Sequence, residues 1–190
     1  HVWYSRPDIF DGNIKVSNTS SGSLLIGRYC NAPISIAGTK SISVGTQGFG
    51  SGYLELSHFA DLDSNTLAIS LPPSVPFGLM YDSFSGDTRR SGMRMTFVGC
   101  TFNGKADLEG PYLYFQSNIF MGDAKLTQSG SGPSYSYGLN TFHGNVELIN
   151  TGISEFHMCY SRPDIFDGNI KVCNTSSGSL LIGRYCNAPI

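Results

Sequence analysis

Residues 102–108 read FNGKADL, and this phrase of an aromatic residue, a glycine and two small or aliphatic residues decides the fold. The phrase recurs at residues 10–16 (FDGNIKV), 120–126 (FMGDAKL), 142–148 (FHGNVEL) and 166–172 (FDGNIKV). Within each copy the apolar residues alternate with polar ones, which is the period of a β-strand with one buried face. The recurrence therefore predicts a chain built from many short and similar strands.

Weaker copies of the phrase, anchored at Ile36, Phe59 and Phe84, fill the space between the strong ones. Together the anchors divide 156 residues into seven units of roughly 22 residues. Turn-rich stretches such as NTSSG and SGSGP follow the strong copies, and a second short strand is predicted at residues 23–26, 53–56 and 112–115. No window has the apolar spacing, cap and stop signal of a helix.

An antiparallel sandwich and a parallel solenoid both fit such a strand pattern, and the charged residues favour the solenoid. Five residues after each Phe, successive units carry Asp107, Lys125, Glu147 and Lys171; three residues after it, they carry Lys105 and Asp123. Coils stacked in register would place these charges about 4.8 Å apart with alternating sign, as a charge ladder. The prediction is an all-β protein, a parallel β-helix (β-solenoid) with about seven coils per 156-residue period.

Stacking of the coils also predicts the core. The anchoring aromatic residues should form one inward column, the core stack of Phe10, Phe102, Phe120, Phe142 and Phe166. The glycine two residues after each Phe leaves room for the stacked rings in one interpretation, and marks a bend or bulge in the other.

The two ends of the chain are near-copies of each other. Residues 1–34 and 157–190 agree at 31 of 34 positions, and differ only at Val2/Met158, Trp3/Cys159 and Ser17/Cys173. Such identity exceeds what a core needs, because cores tolerate broad apolar substitution. It indicates a recently duplicated array, or an engineered chain that repeats its first segment. We expect residues 1–156 to be one full repeat unit and residues 157–190 to be the start of the next.

Composition narrows the function classes. Net charge is −2 and charged residues make up 14% of the chain, so nothing favours nucleic acid as a partner. No run reaches the roughly 18 apolar residues of a membrane span. Hydrophobic residues account for 40%, enough for a sizeable core. We expect no cofactor.

The phrases PDIFDGNIKV, CTFNGKADLEG and NTFHGNVELINTG resemble the repeats of giant tandem-repeat β-solenoid surface proteins of gliding and predatory marine Bacteroidota. The resemblance covers five of the seven units well and residues 36–90 poorly. It implies an extracellular filament or adhesive appendage on the cell surface, such as grappling-hook fibres that capture prey. Its partners would be further copies of itself, stacked axially and packed laterally. The family has no catalytic residues to carry over.

An enzyme is the least favoured alternative. Parallel β-helices also serve as polysaccharide lyases and hydrolases, and Asp107 and Glu147 would lie about 9.6 Å apart, two coils from each other. Lys125 between them would hold both carboxylates ionised, which does not suit an acid catalyst. We therefore predict no catalytic residues.

The sequence DLDSN at 61–65 begins like a calcium loop but lacks the later glycine and glutamate of the EF-hand. We therefore also predict no metal site.

Cysteines and tyrosines leave two further questions open. Cys159 and Cys173 appear together in the second copy, which suggests a disulfide, whereas Cys159 and Cys186 fall at similar positions one coil apart, which suggests another. Buried free thiols are the third interpretation.

Exposed rows of aromatic side chains can bind sugars, and the sequence places Tyr112, Tyr114, Tyr135 and Tyr137 in alternating pairs. The alternative function is therefore a carbohydrate-binding adhesin whose partners are cell-surface glycans.

Overall fold

A computed structural model describes residues 9–10, 12–28, 30, 33–36, 40–60, 62, 67–70, 72, 74–92 and 94–186 of the 190-residue chain. All regular elements in these ranges are β-strands, and all the pairings between strands are parallel. A helix that could cross a bilayer is therefore not found among them. The predicted fold class is confirmed at this level: the protein is an all-β parallel β-solenoid with about five turns of about 22 residues.

The strands follow one another in short pieces along the whole chain. In order they are β1 Ile9–Phe10, β2 Ile14–Asn18, β3 Leu24–Ile26, β4 Ser35–Ile36, β5 Lys40–Phe49, β6 Leu54–Ser57, β7 Leu67–Ser70, β8 Phe77–Met80, β9 Ser83–Phe84, β10 Thr88–Ser91, β11 Met95–Val98, β12 Thr101–Phe102, β13 Ala106–Gly110, β14 Leu113–Gln116, β15 Ile119–Phe120, β16 Ala124–Gln128, β17 Ser134–Gly138, β18 Thr141–Phe142, β19 Val146–Asn150, β20 Phe156–Met158, β21 Ile165–Phe166, β22 Ile170–Asn174 and β23 Leu180–Ile182.

These strands stack into three long sheets, and each of the later turns of the solenoid, from Phe77 onward, contributes one strand to each sheet. The long sheet has eight strands in the order β3-β6-β8-β11-β14-β17-β20-β23. The ladder sheet is β10-β13-β16-β19-β22, and the phenylalanine sheet is β9-β12-β15-β18-β21. Two smaller sheets, β2-β5-β7 and β1-β4, lie in the first part of the chain.

The core lies inside the coils because alternate residues of each strand point inward. In β13, Ala106 and Leu108 are buried while Asp107 between them is partly exposed, and β19 repeats this with Val146 and Leu148. Neighbouring strands of this sheet pair without a shift in register. Leu108 therefore lies opposite Leu126, and Leu126 lies opposite Leu148. Each coil therefore buries its apolar residues against the equivalent residues of the coils on either side.

The phenylalanine sheet contains four of the five residues of the predicted core stack, all except Phe10. Rings of Phe102, Phe120 and Phe142 stack at centroid separations of 4.6 Å, and Phe142 stacks on Phe166 at 5.0 Å. The column also includes Phe84, 4.6 Å from Phe102. Phe10 is half-buried and lies in β1, away from this stack, where its register partner is Ile36.

One of the weaker anchors was wrongly predicted. Leu62, not Phe59, is bridged to Phe84 in the phenylalanine column, and Phe59 is bridged to Ile34 instead. Both side chains are buried. An apolar column accepts either residue type, and this coil lacks the glycine that would have fixed the register of the phrase.

The glycine of the repeated phrase marks a bend in the chain, which is the second of the two interpretations given in the sequence analysis. A Cβ on Gly122 would lie 2.6 Å from the carbonyl oxygen of Gly104, and one on Gly144 would lie 2.5 Å from the carbonyl carbon of Gly122. The close neighbour is thus the backbone of the adjacent coil and not a phenylalanine ring. The interpretation that these glycines make room for the rings was wrong.

A second corner of the solenoid uses left-handed backbone. Directly after strands of the long sheet, Tyr81, Ser117 and Cys159 have φ between 55° and 58°, and Gly99 has φ of 66° at the equivalent place. A single left-handed residue turns the chain sharply enough to leave the sheet. The same bend therefore repeats up one edge of the molecule.

Candidate functional site

The outer face of the ladder sheet carries the predicted charge ladder. Asp107 faces Lys125, Lys125 faces Glu147 and Glu147 faces Lys171 in the strand registers. Arg89, which the sequence analysis missed because its coil has a weak anchor, faces Asp107 and extends the alternation to five charges. Each of these residues lies five places after the Phe that anchors its coil. The same spacing counted from Phe84 would have located Arg89.

The second predicted column lies in the turns that precede the ladder strands. Lys105 and Asp123 are there, together with Asp87 one coil earlier. The backbone N–H of Lys105 donates to Asp87 Oδ1 at 2.9 Å, and that of Asn145 donates to Asp123 Oδ1 at 3.0 Å. The acidic side chains of this column therefore join successive turns through backbone hydrogen bonds.

Ion pairs within the ladder are formed at both ends of the column. Arg89 Nε lies 3.6 Å from Asp107 Oδ2, and Lys171 Nζ lies 2.7 Å from Glu147 Oε1. The hydrogen bond from Lys171 lowers the pKa of Glu147, and the same bond raises the pKa of Lys171. An open groove of about 530 Å³ runs over these residues. Its charges alternate, so it favours neither anions nor cations.

Reversing the central charge of the ladder is expected to weaken the fold. Lys125→Glu would place three carboxylates in adjacent coils, and like charges directly opposite one another destabilise parallel neighbours. We expect the melting temperature to fall by about 2–4 °C in low salt and by less in roughly 0.5 M NaCl, because salt screens exposed charges. Lys125→Gln, which removes the charge without adding repulsion, is the matched control. Equal losses in the two variants, unaffected by salt, would contradict the ladder.

A different column of polar residues is buried inside the solenoid, at the position two residues before each anchoring Phe. Asn118 Nδ2 donates to Asn140 Oδ1 at 2.9 Å, and Asn140 Nδ2 donates to Asp164 Oδ1 at 2.8 Å. The same oxygens accept the backbone N–H groups of Asn118 and Asn140. All three side chains are buried. We call this column the buried amide ladder; it satisfies polar backbone groups at a turn that no solvent reaches.

The buried amide ladder ends at Asp82 on its other side. Cys100 occupies the intermediate position, and its N–H donates to Asn118 Oδ1 at 2.9 Å. Asp82 Oδ1 accepts the N–H of Phe59 at 2.7 Å, but its Oδ2 is buried and has no hydrogen-bond partner among the described residues. Burial raises the pKa of Asp82 well above its usual range. The environment therefore favours the neutral carboxylic acid.

Asp82→Asn is expected to stabilise the protein at neutral pH. Since the folded-state pKa of Asp82 is raised, its contribution to stability is complete below the unfolded-state pKa and is lost as the pH rises towards the folded-state pKa. Asparagine keeps the shape and does not titrate. We expect the variant to melt about 2–4 °C higher than the parent at about pH 7, with the difference disappearing towards about pH 4. Asp87→Asn, which removes a carboxylate from an exposed position, serves as the matched control.

The tyrosines meet on the outer face of the long sheet. Tyr114 and Tyr135 face each other in register, and a bulge after Phe115 places Tyr137 as an extra residue beside them. Tyr114 stacks on Tyr137 at 6.0 Å, and Tyr135 stacks on His157 at 5.3 Å. Tyr112 lies before the strand, under the guanidinium of Arg94 at 4.8 Å.

Two residues of the second repeat copy complete this tyrosine cluster. Tyr160 lies 4.9 Å from Tyr135 and 5.2 Å from Tyr185, measured between ring centroids. Tyr137 and Tyr185 are 40% and 50% exposed, whereas His157 is buried and bonded to Glu155 through Nε2 at 2.7 Å. The cluster presents partly exposed aromatic faces on a buried polar base. Sequence reasoning missed Tyr160 and Tyr185 because they follow different strands.

The second-copy cysteines are free thiols in this structure, and their environments differ. Cys159 is buried, its N–H donates to Asp164 Oδ2 at 3.1 Å, and burial raises the pKa of its thiol to about 12. Cys186 is near enough to contribute to that shift. Cys173 lies in β22, in a different sheet from the strand that ends at Met158. The structure thus places Cys186, and not Cys173, beside Cys159; which bridge forms stays a prediction, testable by non-reducing digestion and mass spectrometry.

Metal-binding geometry is not found in the part of the chain that the structure describes: no three His, Cys, Asp or Glu side chains there are grouped to hold an ion. Asp61, Asp63 and Asn65 of the partial calcium-loop sequence lie outside the described residues.

Comparison of the chain with known protein families, with curated proteins and with solved structures gives no match. The ladders, the tyrosine cluster and the repeated segment are therefore the features from which a function can be inferred.

Proposed function

We propose that the chain is a structural repeat segment of an extracellular cell-surface filament or fibre, without enzymatic activity, used for attachment or capture. Its period is 156 residues, wound into seven coils. Its partners are further copies of the same repeat, stacked along the axis and packed side by side.

The observation that carries the proposal is the position of the repeated segment. β3 and β23 have the same sequence, LLI, and are the two end strands of the eight-stranded long sheet. Eight strands leave seven intervals, and at about 4.8 Å each the repeat would recur every ~34 Å along the axis. A segment that returns at the same place on the solenoid is what a continuous rod requires.

The candidate carboxylates support a non-enzymatic role. Glu147 is held ionised by Lys171, which makes it a poor proton donor. Burial raises the pKa of Asp82 well above its usual range, but Asp82 is only 2% exposed and a polysaccharide could not reach it. Acid catalysis on a polymer needs a carboxyl group that is both easily protonated and accessible. Neither Glu147 nor Asp82 has both properties.

Electron microscopy and fibre diffraction of the purified chain at increasing concentration test the proposal. We expect uniform filaments with a strong meridional spacing near ~4.8 Å and a longer axial repeat near ~34 Å. Compact single particles at all concentrations would contradict a filament.

The tyrosine cluster favours a carbohydrate-binding adhesin as the second candidate function. Aromatic faces bind the apolar faces of sugar rings, and Tyr137 and Tyr185 expose such faces on one surface. The neighbouring Glu155 and Arg184 add polar groups for hydroxyls, since Arg184 lies 5.4 Å above the Tyr185 ring.

A glycan array distinguishes the two candidates. The adhesin function predicts binding that is lost in the double variant Tyr137→Ala/Tyr185→Ala and kept in Tyr81→Asn, which removes an exposed tyrosine outside the cluster. No binding by the parent chain to any glycan would remove this candidate and leave the filament unaffected.

A further inference from the structure

The open groove over the ladder sheet lies between two columns of side chains. One is the charge ladder. The other lies two residues earlier in each coil; we call it the turn column, and its members are Asp87, Lys105, Asp123, Asn145 and Asn169. Between the columns each strand places one small residue, such as Ala106 or Ala124, each only 2% exposed. Small side chains beneath two rims of longer ones give the groove its depth.

The two columns carry opposite charges within a coil. In the order turn column/charge ladder, the charged coils read Asp87/Arg89, Lys105/Asp107 and Asp123/Lys125. In the next two coils the turn column holds the neutral amides Asn145 and Asn169. Among the described coils of the ladder sheet, therefore, none has like charges in both columns. We call this surface the groove face; it is a checkerboard of charges that repeats about every 4.8 Å along the axis.

Part of this charge is not used within the chain. Lys105 and Lys125 are exposed, and neither side chain forms an ion pair with the described residues. Asp123 accepts two hydrogen bonds from Asn145, both at Oδ1, and no hydrogen bond from the described residues reaches its Oδ2. The groove face therefore presents ammonium groups and a carboxylate oxygen that can bind a partner.

The spacing of the charges restricts what that partner can be. A polymer with charges of one sign would meet repulsion at alternate coils, because like charges opposite one another are unfavourable. A matching surface must alternate in sign with a period of about 4.8 Å, which is the distance between stacked β-strands. The groove face of a second copy of this chain has both properties.

Opposite charges meet when two copies lie side by side with parallel axes and with each coil level with the same coil of the other. The two-fold axis of this pair runs along the solenoid, so the turn column of one copy faces the charge ladder of the other. Lys105 of each copy then meets Asp107 of the other, and Asp123 meets Lys125. A shift by one coil would oppose Lys125 to Lys105, so the charges also fix the register.

We propose that the groove face is the lateral contact between solenoids, through which two copies of this chain pair in parallel and in register. The pairing deepens the proposed filament function and rests on it, because parallel rods in register remain compatible with axial stacking of further copies. A single exposed ion pair contributes little, but the contacts recur from coil to coil, so the association strengthens with the length that is paired.

Charge reversals in one coil test the pairing. Lys105→Glu and Asp107→Lys each replace two attractive contacts by two repulsive ones, since both copies carry the change. The side chain of Lys105 is exposed and that of Asp107 is 37% exposed. Sedimentation equilibrium of the full chain in about 50 mM NaCl measures the Kd of self-association. We expect each reversal to raise this Kd about tenfold or more, and roughly 0.5 M NaCl to weaken association of the parent chain.

A mixture of the two variants separates the pairing from a general effect of charge. In the mixture the carboxylate introduced at position 105 faces the ammonium introduced at position 107, so we expect a Kd within about threefold of the parent value. The double variant Lys105→Glu/Asp107→Lys should associate with itself for the same reason. Glu109→Lys is the matched control: it changes the charge as Asp107→Lys does, on the same strand but outside the groove, and should leave the Kd unchanged.

An unchanged Kd in both single variants would overturn the pairing, as would failure of the mixture to associate when circular dichroism shows both variants folded. Restoration by a mixture of Lys105→Glu with Asp123→Lys instead would indicate antiparallel copies and overturn the parallel arrangement. Filaments one solenoid wide in electron micrographs would overturn the pairing and leave the proposed function standing. Pairs that respond to the charge reversals but never lengthen into filaments would support the pairing and contradict the filament.

Discussion

Phe120→Ala is expected to lower the free energy of unfolding by about 3–5 kcal/mol, among the largest losses that a single substitution in this chain can produce. Phe120 is fully buried, and its ring is sandwiched at 4.6 Å between those of Phe102 and Phe142. Truncation removes the apolar area and leaves a cavity between two coils that backbone hydrogen bonds hold at a fixed spacing. Urea denaturation of the parent and the variant measures the loss.

Phe166→Ala is the matched control for this prediction. Phe166 stacks on Phe142 on one side and is only partly buried, so its removal should cost roughly half as much as that of Phe120. Equal losses for the two variants would mean that the stack does not stabilise the solenoid through contacts between neighbouring coils.

Gly122→Ala is expected to cost about 2–4 kcal/mol by a different mechanism. The added Cβ would lie 2.6 Å from the carbonyl oxygen of Gly104, and because that neighbour is backbone it cannot rotate away. The two coils must separate or shift, which strains the registers of the sheets on both sides. Thermal unfolding followed by circular dichroism measures the change.

The chain supplies its own control for the glycine. Gly12 occupies the same place in the repeated phrase, but none of the described residues lies within 4 Å of its Cβ position. Gly12→Ala should therefore be neutral or slightly stabilising, since alanine reduces the entropy of the unfolded chain. A loss comparable to that of Gly122→Ala would show that the glycine is needed for local conformation and not for the close approach of coils.

The strand pattern of the later coils could be predicted because each phrase carries its own register. Phe102, Gly104 and Leu108 fix which residues point inward, and equal phrases stacked in parallel bring Asp107 and Lys125 together without further information. The early coils could not be predicted as well, since apolar residues such as Phe59 and Leu62 fit the same column equally.

The buried amide ladder escaped prediction for a related reason. Asn118 and Asn140 are polar, and polar residues near turns are normally expected at the surface. Only their constant position, two residues before the anchoring Phe, could have indicated that they are stacked inside. The bulge that brings Tyr137 into the tyrosine cluster adds one residue to β17 relative to β14, and nothing in the alternation of that strand marks it.

The parallel stacking of coils has a mechanical consequence. Hydrogen bonds between coils run along the axis, so a pull on the two ends loads neighbouring coils in series and opens the weakest one first. Each coil of about 22 residues that opens would release roughly 70 Å of extended chain in exchange for one axial step of about 4.8 Å. Under tension the molecule would lengthen by discrete steps, dissipating a sudden load while the remaining coils stay folded.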